Sequence, residues 1–197
     1  MIEKIAANLI GQMIRDKLVD ESHREWYEYA LISLSERFLT IGTILLISIW
    51  MKVFVPTLFF LFFFLELRKR TGGFHFNSFY QCYLATMLTY FMLVVCNPFF
   101  VKHLNVLGGT FLLAVCMIML IGTVNHPNIH MDALELTEAK KAARILVLLE
   151  GSVIYCFIIL NADKILISYM MIAVILCASL QSIAKIIKQE VKKNEEH

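Results

Sequence analysis

Charge is scarce in this chain. Asp, Glu, Lys and Arg make up only 17% of its 197 residues, whereas a soluble domain carries about 25%. Hydrophobic residues fill 59% instead, and the mean hydropathy is +0.70. One soluble core of this size cannot hide that excess, so the bilayer is the natural solvent. Other absences narrow the field. Cys82, Cys96, Cys116, Cys156 and Cys177 form no CxxC pair, which argues against a zinc site or a thioredoxin-like motif. Their odd number, spread over apolar helices, argues against a disulfide framework, and four of them read as small buried hydrophobes. His126, His130, Asp132, Glu135 and Glu138 share one polar segment but lack HExxH spacing, so no metal and no cofactor is expected. Gly72-Gly73 lacks the Lys and Ser/Thr of a P-loop. No internal repeat or low-complexity segment occurs. Residues 1–24 contain no uninterrupted apolar stretch, so no secretory signal peptide is expected and the first span serves as the insertion signal.

What is present reads as an all-α, polytopic integral membrane protein. Apolar spans are expected at about 30–50, 53–67, 79–101, 104–124, 143–160 and 165–187. A crossing needs roughly 20 residues, so 53–67 and 143–160 are short. Before them, Ile2, Ile5, Ala6, Leu9, Ile10, Met13 and Ile14 follow helical spacing opposite polar residues. That pattern predicts an amphipathic N-terminal helix, lying in the membrane interface, gripping a partner helix or packed on the protein's own cytoplasmic face. The expected organisation is one membrane domain over 1–197: an interfacial segment 1–28, a bundle 29–187 and a tail 188–197. With six crossings, cytoplasmic segments hold fourteen Lys/Arg and outer loops only Lys52, Lys102 and Lys164, with Arg37 inside a span. The positive-inside rule then puts both termini in the cytoplasm.

The chemistry concentrates at Arg68-Lys69-Arg70-Thr71-Gly72-Gly73-Phe74-His75-Phe76-Asn77-Ser78-Phe79-Tyr80-Gln81-Cys82. A thiol and an imidazole stand seven positions apart behind a basic cluster. A free thiol titrates near ~8.5 and needs a base or cation to become a nucleophile. On one straight helix, positions 75 and 82 would be about 10.5 Å apart along the axis, too far for proton transfer. A working dyad therefore requires a break, and Gly72-Gly73 permits one. The ordinary alternatives are a packing cysteine, a headgroup-level histidine and a basic topology signal or anionic-lipid site.

The string Arg68-x4-Gly73-x-His75-x6-Cys82 between the second and third spans resembles the signature of the accessory gene regulator B (AgrB) family, membrane cysteine endopeptidases of Gram-positive quorum sensing. The similarity covers essentially the whole chain: its length, an amphipathic N-terminus, Glu, Trp and Tyr ahead of the first span, and polar Asn125-His126-Pro127-Asn128 before a basic stretch. The resemblance implies Cys82 as nucleophile and His75 as general base, with Arg68 and Gly73 shaping or charging the site at the cytoplasmic face of the cell membrane. Arg70, Gln81 and Glu150 are further supporting candidates; Gln81 or Asn77 could orient the imidazole or serve an oxyanion. The implied substrate is an AgrD-like propeptide with an acidic tail, which cytoplasmic basic clusters would attract. Membrane lipids and a second copy of the chain are the other partners considered; nucleic acid is not expected.

Two other function classes stay open. A small membrane transporter could line a polar path with Arg37 and Glu150, since an ionisable residue at membrane depth is a functional hypothesis by default. Helix–helix pairing, or a position nearer the interface, is the plainer account of Glu36-Arg37 and Glu150. A non-catalytic assembly factor would tolerate replacement of His75 and Cys82 together.

Overall fold

Long apolar runs with helix-forming residues close their backbone hydrogen bonds within each segment, the only way a single segment satisfies them in lipid. The computed structural model describes residues 2–16, 18–74, 78–124 and 132–187, and every regular element among them is helical. The order is α1 (Ile2–Arg15), a 3-10 turn (Glu21–His23), α2 (Arg24–Trp50), α3 (Phe54–Thr71), α4 (Phe79–Lys102), α5 (Leu104–Ile121), α6 (Ala133–Ile159) and α7 (Lys164–Ile186).

Helix α7 is the hub. It packs on α3, α5, α4 and α6, and 61% of its apolar window is buried, against 6% for α2. Met170, Ala173, Val174, Cys177 and Ala178 of α7 meet Phe60, Phe63 and Leu67 of α3, Phe111 and Ile118 of α5, and Val147 and Ile154 of α6 in one core. The outer faces carry exposed Leu112, Leu113, Leu120, Leu149 and Tyr155. A water-facing surface would not tolerate that apolar area. Among the described residues, five helices are long and apolar enough to cross a bilayer, which supports a multi-pass membrane protein.

The expected span 53–67 falls within α3. That helix carries Glu66, Arg68, Lys69 and Arg70 in its C-terminal part, so its composition does not make it a sixth. The short span expected at 143–160 needs correcting: it is part of a 27-residue helix beginning at Ala133. The physical cause is a capping box. The Glu135 amide donates to Asp132 Oδ1 at 2.7 Å, and the Asp132 amide donates to Glu135 Oε2 at 3.1 Å. These bonds satisfy two otherwise orphaned N–H groups, so much of the segment read as polar loop is already helix. Likewise α2 starts at Arg24 rather than near 30.

At the other end of the chain, α1 packs on α2. Ala6 and Ile10 are buried, while Ile5 and Leu9 of the same apolar set stay exposed.

Side-chain hydrogen bonds tie spans together. Asn97 Nδ2 of α4 donates to Ser168 Oγ of α7 at 2.7 Å. Thr57 of α3 and Tyr90 of α4 share a bond of 2.7 Å, and Tyr83 Oη of α4 donates to Thr43 Oγ1 of α2 at 3.1 Å. In an apolar solvent such bonds hold helices in register.

Candidate active site

Helix α3 stops at Thr71 because Gly72 turns the chain at φ +65° and Gly73 follows at φ +130°, conformations that side-chain-bearing residues rarely adopt. The Gly72 amide closes the helix end by donating to the Arg68 carbonyl at 3.1 Å. The Arg68 guanidinium then folds over the turn. Its Nη1 donates to the Gly72 carbonyl at 2.6 Å, and its Nη2 makes a short bond to the Phe74 carbonyl. A planar fork with several donors suits this two-carbonyl grip.

Gly73 makes the grip possible. A Cβ there would sit 1.9 Å from Arg68 Nη1 and 3.1 Å from the Leu180 carbonyl carbon. Arg68 and Gly73, five positions apart in sequence, are thus two halves of one lock.

Other segments clamp the same turn. The Phe74 amide donates to the Leu180 carbonyl of α7 at 3.0 Å, and the Val124 amide donates to the Thr71 carbonyl at 3.1 Å. Thr123 Oγ1 donates to the Arg70 carbonyl at 2.8 Å. Gln181, one residue beyond Leu180, donates from Nε2 to the Gly122 carbonyl at 2.6 Å. The turn after α3, the turn after α5 and the C-terminal end of α7 therefore form one hydrogen-bonded knot.

Cys82 is the fourth residue of α4 and is partly buried. Its amide donates to the Ser78 carbonyl at 3.1 Å, and its carbonyl accepts from Thr86 Oγ1 at 2.8 Å. Arg68 lies within Coulombic reach of the thiols of Cys82 and Cys177. The positive end of the α4 macrodipole acts on the same turn. Positive potential thus reaches Cys82 from its own helix and from Arg68.

His75 and Asn77 lie outside the described residues. The break that the dyad requires is present, because α3 ends at Thr71 and α4 begins at Phe79. Gln81 and the Arg70 side chain are exposed, whereas Gly73 is buried. Glu150 is elsewhere. It falls on the buried stripe of α6 with Ala143, Val147 and Ile154, is only 5% exposed, and has no hydrogen-bond partner for either carboxylate oxygen among the described residues. Glu66 and Cys177 are titratable neighbours of this carboxyl group. Cys177, fully buried with Sγ 3.5 Å from the Phe64 carbonyl, interacts with both Glu150 and Arg68. Among the described residues no group of three His, Cys, Asp or Glu side chains is placed to hold a metal.

Sequence reasoning missed Gln181. Its available signal was an uncharged polar residue four positions after Cys177 and three after Ala178, within an apolar helix.

The family model described as accessory gene regulator B matches residues 2–194. No curated protein and no solved structure matches the chain. A match over nearly the full length places the chain in a known group: it belongs to the accessory gene regulator B family.

Proposed function

We propose that this chain is a membrane cysteine endopeptidase that removes the C-terminal tail of an AgrD-like propeptide and cyclises the remaining signal peptide. Membership of the family itself implies a part in processing quorum-sensing propeptides. The observation that carries the finer reading is the Arg68–Gly73 lock. It fixes the turn that runs into His75 and brings a guanidinium within reach of Cys82.

In this reading His75 takes the thiol proton, and the Cys82 sulfur attacks the carbonyl at the end of the signal sequence. The peptide C–N bond breaks, His75 returns the proton to the departing amine, and a thioester on Cys82 remains. An internal thiol or hydroxyl of the bound peptide then attacks that carbonyl. The C–S bond to Cys82 breaks, a thiolactone or lactone forms, and the Cys82 thiol is regenerated. Excluding water protects the thioester from hydrolysis. A substrate held at the membrane surface is confined near the site, which raises its effective concentration. The topology that suits this chemistry counts α3 as a sixth crossing, keeps both termini cytoplasmic within one membrane domain, and sets the turn at the cytoplasmic face, where Lys69, Arg70, Lys140, Lys141 and Lys185 attract an acidic tail.

The test is mass spectrometry of the protein in liposomes with a candidate AgrD-like propeptide. Wild type is expected to release the tail and carry a peptide thioester on Cys82, and Cys82→Ala to do neither. Normal processing by Cys82→Ala or His75→Ala overturns the reading. Glu150, buried and without a hydrogen-bond partner among the described residues, favours a second reading, a small transporter with a polar path, whose activity would not depend on Cys82.

A further inference from the structure

Gln181 is fully buried, and only half of its amide is used. Nε2 donates to the Gly122 carbonyl at 2.6 Å, while Oε1 has no hydrogen-bond partner among the described residues. A half-satisfied amide is a costlier occupant of an apolar helix than a methionine of similar length. Packing alone therefore does not account for Gln181; the bond it makes does.

That bond holds a turn. The Gly122 amide closes α5 by donating to the Ile118 carbonyl at 2.7 Å. Lys140 of α6 backs the turn, for a Cβ on Gly122 would sit 2.8 Å from Lys140 Cγ. Directly after Gly122, Thr123 Oγ1 and the Val124 amide donate to the Arg70 and Thr71 carbonyls. The Val124 carbonyl lies against Gly72, where a Cβ would sit 2.8 Å from its oxygen. The Gly72 carbonyl is one of the two that the Arg68 guanidinium grips. The other belongs to Phe74, whose amide donates to the carbonyl of Leu180, the neighbour of Gln181 in α7. Both carbonyls in the Arg68 fork are thus placed from α7. Leu180 places one directly, and Gln181 places the other through Gly122 and Val124.

We propose that Gln181 is a positioning residue: by pinning the turn after α5, it sets the Gly72 carbonyl that holds the Arg68 guanidinium, and so the placement of that positive charge. In this role Gln181 needs no contact with substrate or thiol. It acts through Arg68, which lies within Coulombic reach of Cys82. This rests on the reading of Cys82 as the nucleophile, and the experiment separates the two ideas.

Two rates are measured on the full chain in liposomes, beside the thermal unfolding midpoint. One is tail release from a candidate AgrD-like propeptide. The other is alkylation of Cys82 by iodoacetamide without propeptide, followed by peptide mass spectrometry. Gln181→Met should lower kcat for tail release on the order of tenfold, with KM unchanged, short of the roughly 10²-fold of a misplacement of about 1 Å at reacting groups. Its unfolding midpoint should stay near wild type, because methionine removes the unmet Oε1 along with the bond. Alkylation should slow on the order of fivefold, the equivalent of one ordinary hydrogen bond. In an Arg68→Ala background Gln181→Met should slow alkylation no further, because no guanidinium remains to be placed. Thr123→Val, isosteric and lacking only the bond to the Arg70 carbonyl, should act in the same direction with a smaller loss.

The same fold loss of alkylation with and without Arg68 would overturn the proposal, leaving Gln181 a structural pin. So would a raised KM at unchanged kcat, or a fall in midpoint that alone accounts for the lost activity. If Gln181→Met fails to fold, Thr123→Val taken through the same pair of backgrounds decides by the same rule. Normal tail release by Cys82→Ala is a separate outcome: the nucleophile reading fails, and the proposal with it.

Discussion

The guanidinium of Arg68 occupies the space that a side chain on Gly73 would need, with Nη1 only 1.9 Å from where that Cβ would sit. Two positions that look independent in the sequence are one steric unit. Gly73→Ala should therefore expel the guanidinium from the turn and also strain a backbone at φ +130°, worth about 1–3 kcal/mol. Processing should fall on the order of 10²-fold, as expected for a misplacement of about 1 Å near reacting groups. The check is a double-mutant cycle with Arg68→Ala on propeptide cleavage. The two losses should be strongly non-additive, and simple additivity would refute the lock.

Arg68→Lys should behave as a loss of function. An ammonium keeps the charge but cannot reproduce the rigid fork that reaches the Gly72 and Phe74 carbonyls together. Arg70→Lys, at an exposed side chain whose residue holds the turn through its backbone carbonyl, should change cleavage little. Cleavage rates of the two variants at equal membrane abundance decide the point.

Glu150 sets a different expectation. A buried carboxyl group with no hydrogen-bond partner among the described residues is costly, so Glu150→Leu should raise detergent stability by about 1–3 kcal/mol. Cleavage by Glu150→Gln should match wild type if the carboxylate serves no step. A loss of cleavage at unchanged stability would instead place Glu150 in the reaction or in a polar path. Thermal unfolding and cleavage of both variants are the measurements.

The Asn97–Ser168 bond between α4 and α7 should be worth little despite its 2.7 Å length. Polar contacts between membrane helices average about 0.6 kcal/mol, and Ser168 Oγ has a second bond to the Ile165 carbonyl at 2.8 Å. Asn97→Leu should lower stability by less than about 2 kcal/mol, and unfolding in mixed micelles checks this.

Asp132→Ala removes one side of the capping box. It should cost about 1 kcal/mol and speed amide exchange over residues 133–136, while exchange in the Val147–Ile154 core is unchanged. Hydrogen-exchange mass spectrometry reports both regions at once.

The pattern of apolar runs and basic ends was legible in the sequence because lipid acts on each segment separately. Hydropathy indicated six spans, and five of them fall in helices long and apolar enough to cross a bilayer, although α2 and α6 begin earlier than hydropathy indicates. The start of α6 was legible in another sense: Asp132 and Glu135 have capping-box spacing, a local signal outweighed by the polarity of the surrounding stretch. Arg68, Gly73 and Cys82 could be read as a group because short-range spacing ties them to one turn. Their partners could not. Thr123 lies 53 positions from Arg70, and Gln181 lies 59 from Gly122.

By itself, then, the sequence determined the helical class, the apolar character of the spans and the chemical types available at the turn. Those properties follow from side-chain solvation and local backbone preference, which act over a few residues. Only the tertiary structure decided that α7 is the central helix, that Arg68 and Gly73 share one space, and that Leu180 holds Phe74 while Gln181 pins the turn after α5. Such contacts depend on how separate helices meet, and packing is fixed by shape complementarity between surfaces far apart along the chain.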